Sequence, residues 1–311
     1  MMSTLIQMYV LSSSRGPLLM YSSESQTPHV YKKCNTPDRF ALVEEYRQLK
    51  IVSDALQESG NTILSPTPLE FYEHNDNEFW NSVFKDGDGA PIFQGGLDRT
   101  FAYSMTRVYP LPSAVKSKMS DLFSTSPQPH RIRKGHHLAH LLLGSETTVH
   151  WHRAFSDTYN FALTREHVEK LGIDTMELSR EMARMLAQLH MTARNDARGI
   201  KVVLGANITS TVFKRCEPRV WVLGFAHVRK FDFTPNQIHL LMDAFFASEY
   251  FPRPRDTDLL YEVFAEAYLK ECNMIGDAAE QLGKMFISTL EMDQVRRDNA
   301  LFYESLTDTV T

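Results

Sequence analysis

Residues 186–205 read LAQLHMTARNDARGIKVVLG, and this stretch changes conformational character twice. Its first part closes the run TMELSREMARMLAQLHMTA, in which Met176, Met182, Met185, Leu186 and Leu189 recur at helical intervals and predict a long helix with a buried stripe. The polar run RNDARG then breaks the helix, and IKVVLG, rich in β-branched residues, predicts a strand. His190 closes the helix, and Asp196 follows six residues later in the loop.

On the N-terminal side, LIQMYVL, GPLLMYS and HVYKKC alternate in strand fashion, with a Ser-Ser-Ser-Arg-Gly turn at residues 12–16. Asp38 takes an N-cap position ahead of RFALVEEYRQLKIVSDAL, where Phe40, Val43, Tyr46, Leu49 and Leu56 predict an amphipathic helix. Residues 57–100 are loop-rich, with two Asp-Gly pairs and a Gly-Gly, and are expected to form an insertion. FAYSMTRVYPLP predicts a strand ending in prolines, and PSAVKSKMSDLF a helix. Beyond the central stretch, VWVLGFA predicts a further strand, and the chain from about Pro235 is helical in pattern. The expectation is an α+β protein of one bilobed domain. A small β-rich lobe with one helix covers residues 1–108, and a larger, mainly α-helical lobe covers residues 109–311.

The 311 residues, 43% hydrophobic and 23% charged, suit a folded domain with a sizeable core. A net charge of −5 without a Lys/Arg stripe argues against nucleic acid as a partner. Cys34, Cys216 and Cys272 are far apart and form no CxxC pair, which predicts neither a zinc ribbon nor a disulfide framework. The N-terminal apolar stretch lacks a basic flank, and no run approaches the roughly 18 apolar residues of a membrane span, so a cytoplasmic location is expected.

Strands, a strand carrying Lys, a helix carrying Glu, a hinge strand, a long helix, a loop carrying Asp and another strand form the element order of a protein kinase. Phosphoryl transfer needs a lysine on the phosphates, a helix glutamate to orient it, a loop Asp for the hydroxyl proton and an acidic metal ligand. By position Lys32 or Lys33 fits the first role, Glu44 or Glu45 the second and Asp196 the third. The stretches LAQLHMTARNDARGIKVVLG, VWVLGFAHVRKF and AFFASEYFPRP resemble the fungal DUF3669 family, over roughly residues 31–271. That resemblance implies a degenerate protein-kinase-like, two-lobed fold, distantly similar to aminoglycoside phosphotransferases, and names no activity. Against the family pattern it implies, Gly199 and Lys201 replace acidic residues of the loop, and Gly224 stands where a metal-holding Asp belongs. Magnesium prefers carboxylate oxygen, so the expectation is no phosphoryl transfer, no metal and no cofactor.

A cleft retained without its ion would be lined by Tyr103, Met105, Tyr109, Trp221, Phe225 and Phe231. Arg107, Asp196, Lys32 or Lys33, and His190 or His227 would be its polar groups. Such a pocket suits a hydrophobic small molecule, polyene or terpenoid in character. Three functions follow. The first is a cofactor-free cyclase or isomerase of fungal secondary metabolism, of Diels–Alderase type, with Arg107, Asp196, His190 and Tyr103 as catalytic candidates; orientation supplies most of its acceleration. The second is a non-catalytic, pseudokinase-like binding or scaffold protein, and the third a residual phosphotransferase based on Asp196. Six of the twelve histidines lie in residues 130–152, but without a converging carboxylate or HExxH pattern they are expected to be surface or lining groups.

Overall fold

The computed structural model describes residues 7–8, 19–21, 29–33, 39–82, 99–123, 138–145, 160–208, 216–255 and 258–308. The expected turn at residues 12–16, the cap at Asp38 and five clustered histidines (His130, His136, His137, His150 and His152) lie outside them.

Five strands form the first sheet: β1 (Gln7–Met8), β2 (Leu19–Tyr21), β3 (His29–Lys33), β4 (Pro68–Tyr72) and β5 (Ala102–Thr106). Their order is β1-β2-β3-β5-β4, antiparallel throughout. The described part of the 57–100 stretch is thus less loop-like than its composition suggests. It supplies the edge strand β4 and a short helix α2 (Asn77–Ser82), where Phe79 stacks on Tyr72 at 3.5 Å between ring centroids.

Helix α1 (Arg39–Glu58) buries Leu42, Leu49, Val52 and Leu56, at spacings of seven, three and four residues that put them on one face. This stripe is displaced from the one expected at its N-terminal end, where Phe40 is 82% exposed. Glu45 lies one turn from both Leu42 and Leu49 and is carried inward with them, while Glu44 stays outside beside Gln48.

Past β5 the chain continues through α3 (Ser113–Phe123), β6 (Leu138–Leu142), β7 (Asn160–Thr164) and α4 (Arg165–Lys170). Helix α5 (Thr175–Ala187) begins on Asp174, whose carboxylate accepts from the N–H groups of Met176 and Glu177, an N-cap that satisfies otherwise orphaned donors. It ends in a π-helical turn, Gln188–Thr192. Met182, Met185, Leu186 and Leu189 are buried as the spacing predicts; Met176, nearest the N-terminus, is only partly so. Strands β8 (Lys201–Ile208) and β9 (Cys216–Leu223) complete a second sheet of order β7-β6-β8-β9, with β6 and β7 parallel and the other pairs antiparallel.

The chain ends in α6 (Ile238–Phe246), α7 (Leu259–Ile275) and α8 (Asp277–Asp308). Phe245, Phe251, Phe264, Tyr268 and Phe286 interlock between them, each within about 6 Å of a neighbouring ring. The molecule is α+β, with strands concentrated toward the N-terminus and helices toward the C-terminus. Among the described residues no helix is long and apolar enough to cross a membrane.

Candidate functional site

The site is built around Lys32 on β3, whose charge reaches Lys201 at the start of β8. Lys32 on β3 stands directly opposite Tyr103 on β5. The Lys32 ammonium pairs with Glu45 Oε1, and the Tyr103 hydroxyl donates to the same oxygen at 3.4 Å. The inward face of α1 therefore selects Glu45 over Glu44, and the ion pair selects Lys32; Lys33 is also buried. Burial first, and the Glu45 charge second, push the Tyr103 hydroxyl well above its ordinary pKa. Tyr103 is 1% exposed and packs on Tyr46, with ring centroids 5.4 Å apart. It supports Glu45 rather than presenting a hydroxyl to a ligand.

Asp196 has no exposed surface. Its Oδ1 accepts from the backbone N–H groups of Arg198 (3.0 Å) and Arg229 (2.8 Å), and its own N–H donates to the Arg229 carbonyl. Its Oδ2 lies 3.6 Å from Arg198 Nε, and Arg198 also reaches toward Asp243. Burial raises the Asp196 pKa, opposed by the two N–H donors and the nearby arginines. The carboxylate thus clamps the loop to the segment after β9, where Asn195 bridges Lys230 and the Phe231 N–H donates to the Arg194 carbonyl. The loop is tightly wound, with Arg194, Ala197 and Gly199 all at positive φ.

His190, expected to enter the cleft, lies instead in the helical core, 1% exposed. The π-helical turn rotates it toward α7, where Nδ1 is 2.8 Å from the Tyr268 hydroxyl, and Phe286 meets the ring edge-on at 5.2 Å. Burial lowers its pKa to about 3, so it is neutral at pH 7.

The strand floor is equally closed. Trp221 packs with Val108, Leu138, Val203, Leu223 and Leu64. The backbone of Leu64 bonds both Val220 and Val222 of β9, and that of Tyr109 bonds Ala206 of β8 at 3.1 and 2.8 Å, so the segments before β4 and after β5 are tied to the second sheet. Phe225 is buried in the main core, and Met105 is 8% exposed. Arg107 stacks 5.2 Å over the Tyr109 ring at the connection. His227 is partly buried against Gly199, where an added Cβ would approach its Cβ to 3.2 Å. The residues expected as pocket walls are therefore mostly core fillers.

The structure brings Lys32, Glu45 and Tyr103 together and leaves His190 elsewhere. Lys201, which the sequence marked only as a lost acid, stands near Lys32 at the start of β8; burial, then the Lys32 charge, lowers its pKa. Gly224 has φ +89°, and a Cβ there would lie 3.0 Å from the Gly199 carbonyl oxygen and 3.7 Å from Lys201 Cγ. His140, alone of its cluster among the described residues, is a strand residue of β6 with Nδ1 2.7 Å from the Tyr250 hydroxyl.

One family comparison bears on these elements. The DUF3669 family model matches residues 220–280. Its description is a zinc finger protein, and the match covers about a fifth of the chain, beginning in β9 and ending in α8. The DUF3669 segment holds one cysteine, Cys272, and two histidines, His227 and His239. A tetrahedral zinc site takes four ligands, and among the described residues no group of three or more His, Cys, Asp and Glu is placed to hold a metal ion. The buried Cys272 thiol is pushed up to about 12, chiefly by burial, which disfavours the thiolate that zinc binds. These residues do not fit a zinc finger. No curated protein matches the chain.

Proposed function

We propose that this is a kinase-like, two-lobed protein that no longer transfers phosphate and acts as a non-catalytic binding protein through the site between its sheets. The observation that carries the reading is the Lys32–Glu45 pair standing beside Lys201 and Gly224, where phosphoryl transfer would require carboxylates for magnesium. The order of elements around that pair supports the kinase-like comparison: Lys on β3, Glu on the following helix, and a long helix leading to the Asp196 loop and β8.

The geometry favours binding over a cofactor-free cyclisation. Such a reaction needs a convergent donor facing the substrate. Tyr103 is committed to Glu45, His190 to Tyr268, Arg107 lies over the Tyr109 ring, and Asp196 Oδ1 accepts from two backbone N–H groups. Asp196, the base of a residual phosphotransferase, has no exposed surface to meet an acceptor hydroxyl. The full chain incubated with ATP, Mg2+ and small hydroxylated acceptors should form no ADP above the no-protein control. Steady ADP production that Asp196→Asn abolishes would refute the reading.

A further inference from the structure

Lys201 lies two residues before Val203 and so projects from the same face of the sheet. Val203 stands opposite both His140 on β6 and Trp221 on β9, which places Lys201, His140 and Trp221 on one face. Two donors on this face lack acceptors. The partly buried Lys201 ammonium has no ion-pair or hydrogen-bond partner among the described residues. The Trp221 Nε1–H, on a side chain 4% exposed, has none either.

Among the described residues the neighbouring charges leave this cation uncompensated. Glu45 neutralises Lys32, and Asp196 is engaged by Arg198 and the backbone. His140 is pushed down to about 4, by burial first and then by Lys201, so near pH 7 it contributes no charge of either sign. Gly224 places no side chain over the Lys201 stem. A partly desolvated ammonium without a counter-charge is unfavourable, and what this face lacks is an acceptor.

We propose that Lys201, with the Trp221 indole N–H on the same face of the sheet, binds a compact oxyanion, a phosphate or carboxylate group, directly and without a divalent cation. The cation that another phosphate site would recruit as metal is here supplied by the Lys201 side chain. The proposal rests on the reading of the cleft as a metal-free binding site.

Calorimetric titration of the full chain in EDTA, with pyrophosphate in one arm and succinate in the other, tests the proposal and separates phosphate from carboxylate. At least one anion should bind saturably. Lys201→Gln should weaken that binding about tenfold or more, and Lys201→Arg should keep it within a few-fold. Should Lys201→Gln fail to fold, the wild type still decides: the bound anion should slow acetylation of Lys201 by acetic anhydride, followed by mass spectrometry. No saturable binding of either anion in EDTA, binding untouched in a folded Lys201→Gln, or unprotected acetylation would overturn the proposal while leaving the absence of phosphoryl transfer standing. Anion binding that appears only when Mg2+ is added, together with ADP formed from ATP in the turnover assay, would overturn both.

Discussion

Glu45 carries two bonds on one oxygen, from the Lys32 ammonium and the Tyr103 hydroxyl, and all three groups are buried. Removing the acid strands a buried cation, so Glu45→Ala should destabilise by about 3–5 kcal/mol in urea unfolding. Tyr103→Phe removes only the longer bond and should cost ~1 kcal/mol. If Glu45→Ala cost no more than Tyr103→Phe, the pair would not be the support described here. Buried His190 and partly buried His140 contribute a pH dependence whose sign is fixed. They titrate near 6.5 when unfolded and at about 3 and about 4 when folded. Their contribution is therefore complete above pH 6.5 and is lost as pH falls, toward about 4 for His140 and about 3 for His190, at no more than roughly 1.4 kcal/mol per pH unit each. Replacing His190 by Gln should flatten the stability profile between pH 4 and 6.5; an unchanged slope would count against its neutral, buried state.

At the scale of elements, strong periodicity was legible and orientation was not. The α5 stripe and the β8 and β9 strands follow from apolar spacing because packing and pattern agree there. In α1 the stripe turns so that Glu45 meets Lys32, a contact thirteen residues apart in sequence that no local pattern encodes. The helix ending at His190 reads as a continuous α-helix, yet its last turn is π-helical and swings the histidine away from the cleft. Aromatic residues on hinge and floor looked like pocket walls because composition cannot separate a lining side chain from a core one; Trp221 and Phe225 are both 4% exposed. Close backbone approach is likewise invisible in sequence. Gly144, after β6, has room for no side chain, since an added Cβ would lie 2.0 Å from the Phe251 carbonyl oxygen. Gly144→Ala should destabilise by ~3 kcal/mol, or repack that corner, and a wild-type thermal midpoint would contradict the contact.

Across the whole molecule, a chain of net charge −5 leaves the Lys201 cation at the start of β8 without an ion-pair partner among the described residues. The proposed kinase-like arrangement keeps the lysine–glutamate pair and forgoes the carboxylates that would make magnesium useful. Restoring an acid at residue 224 is opposed by the backbone itself, because φ there is +89° and the Gly199 carbonyl is 3.0 Å from an added Cβ. Gly224→Asp should therefore cost stability, about 1–3 kcal/mol, without creating magnesium affinity. The proposed site works without metal. Calorimetric titration of ATP into the full chain, once in EDTA and once in excess Mg2+, decides this: Mg2+ should bring no gain in affinity, and a gain of about tenfold or more would mean that the site recruits the metal.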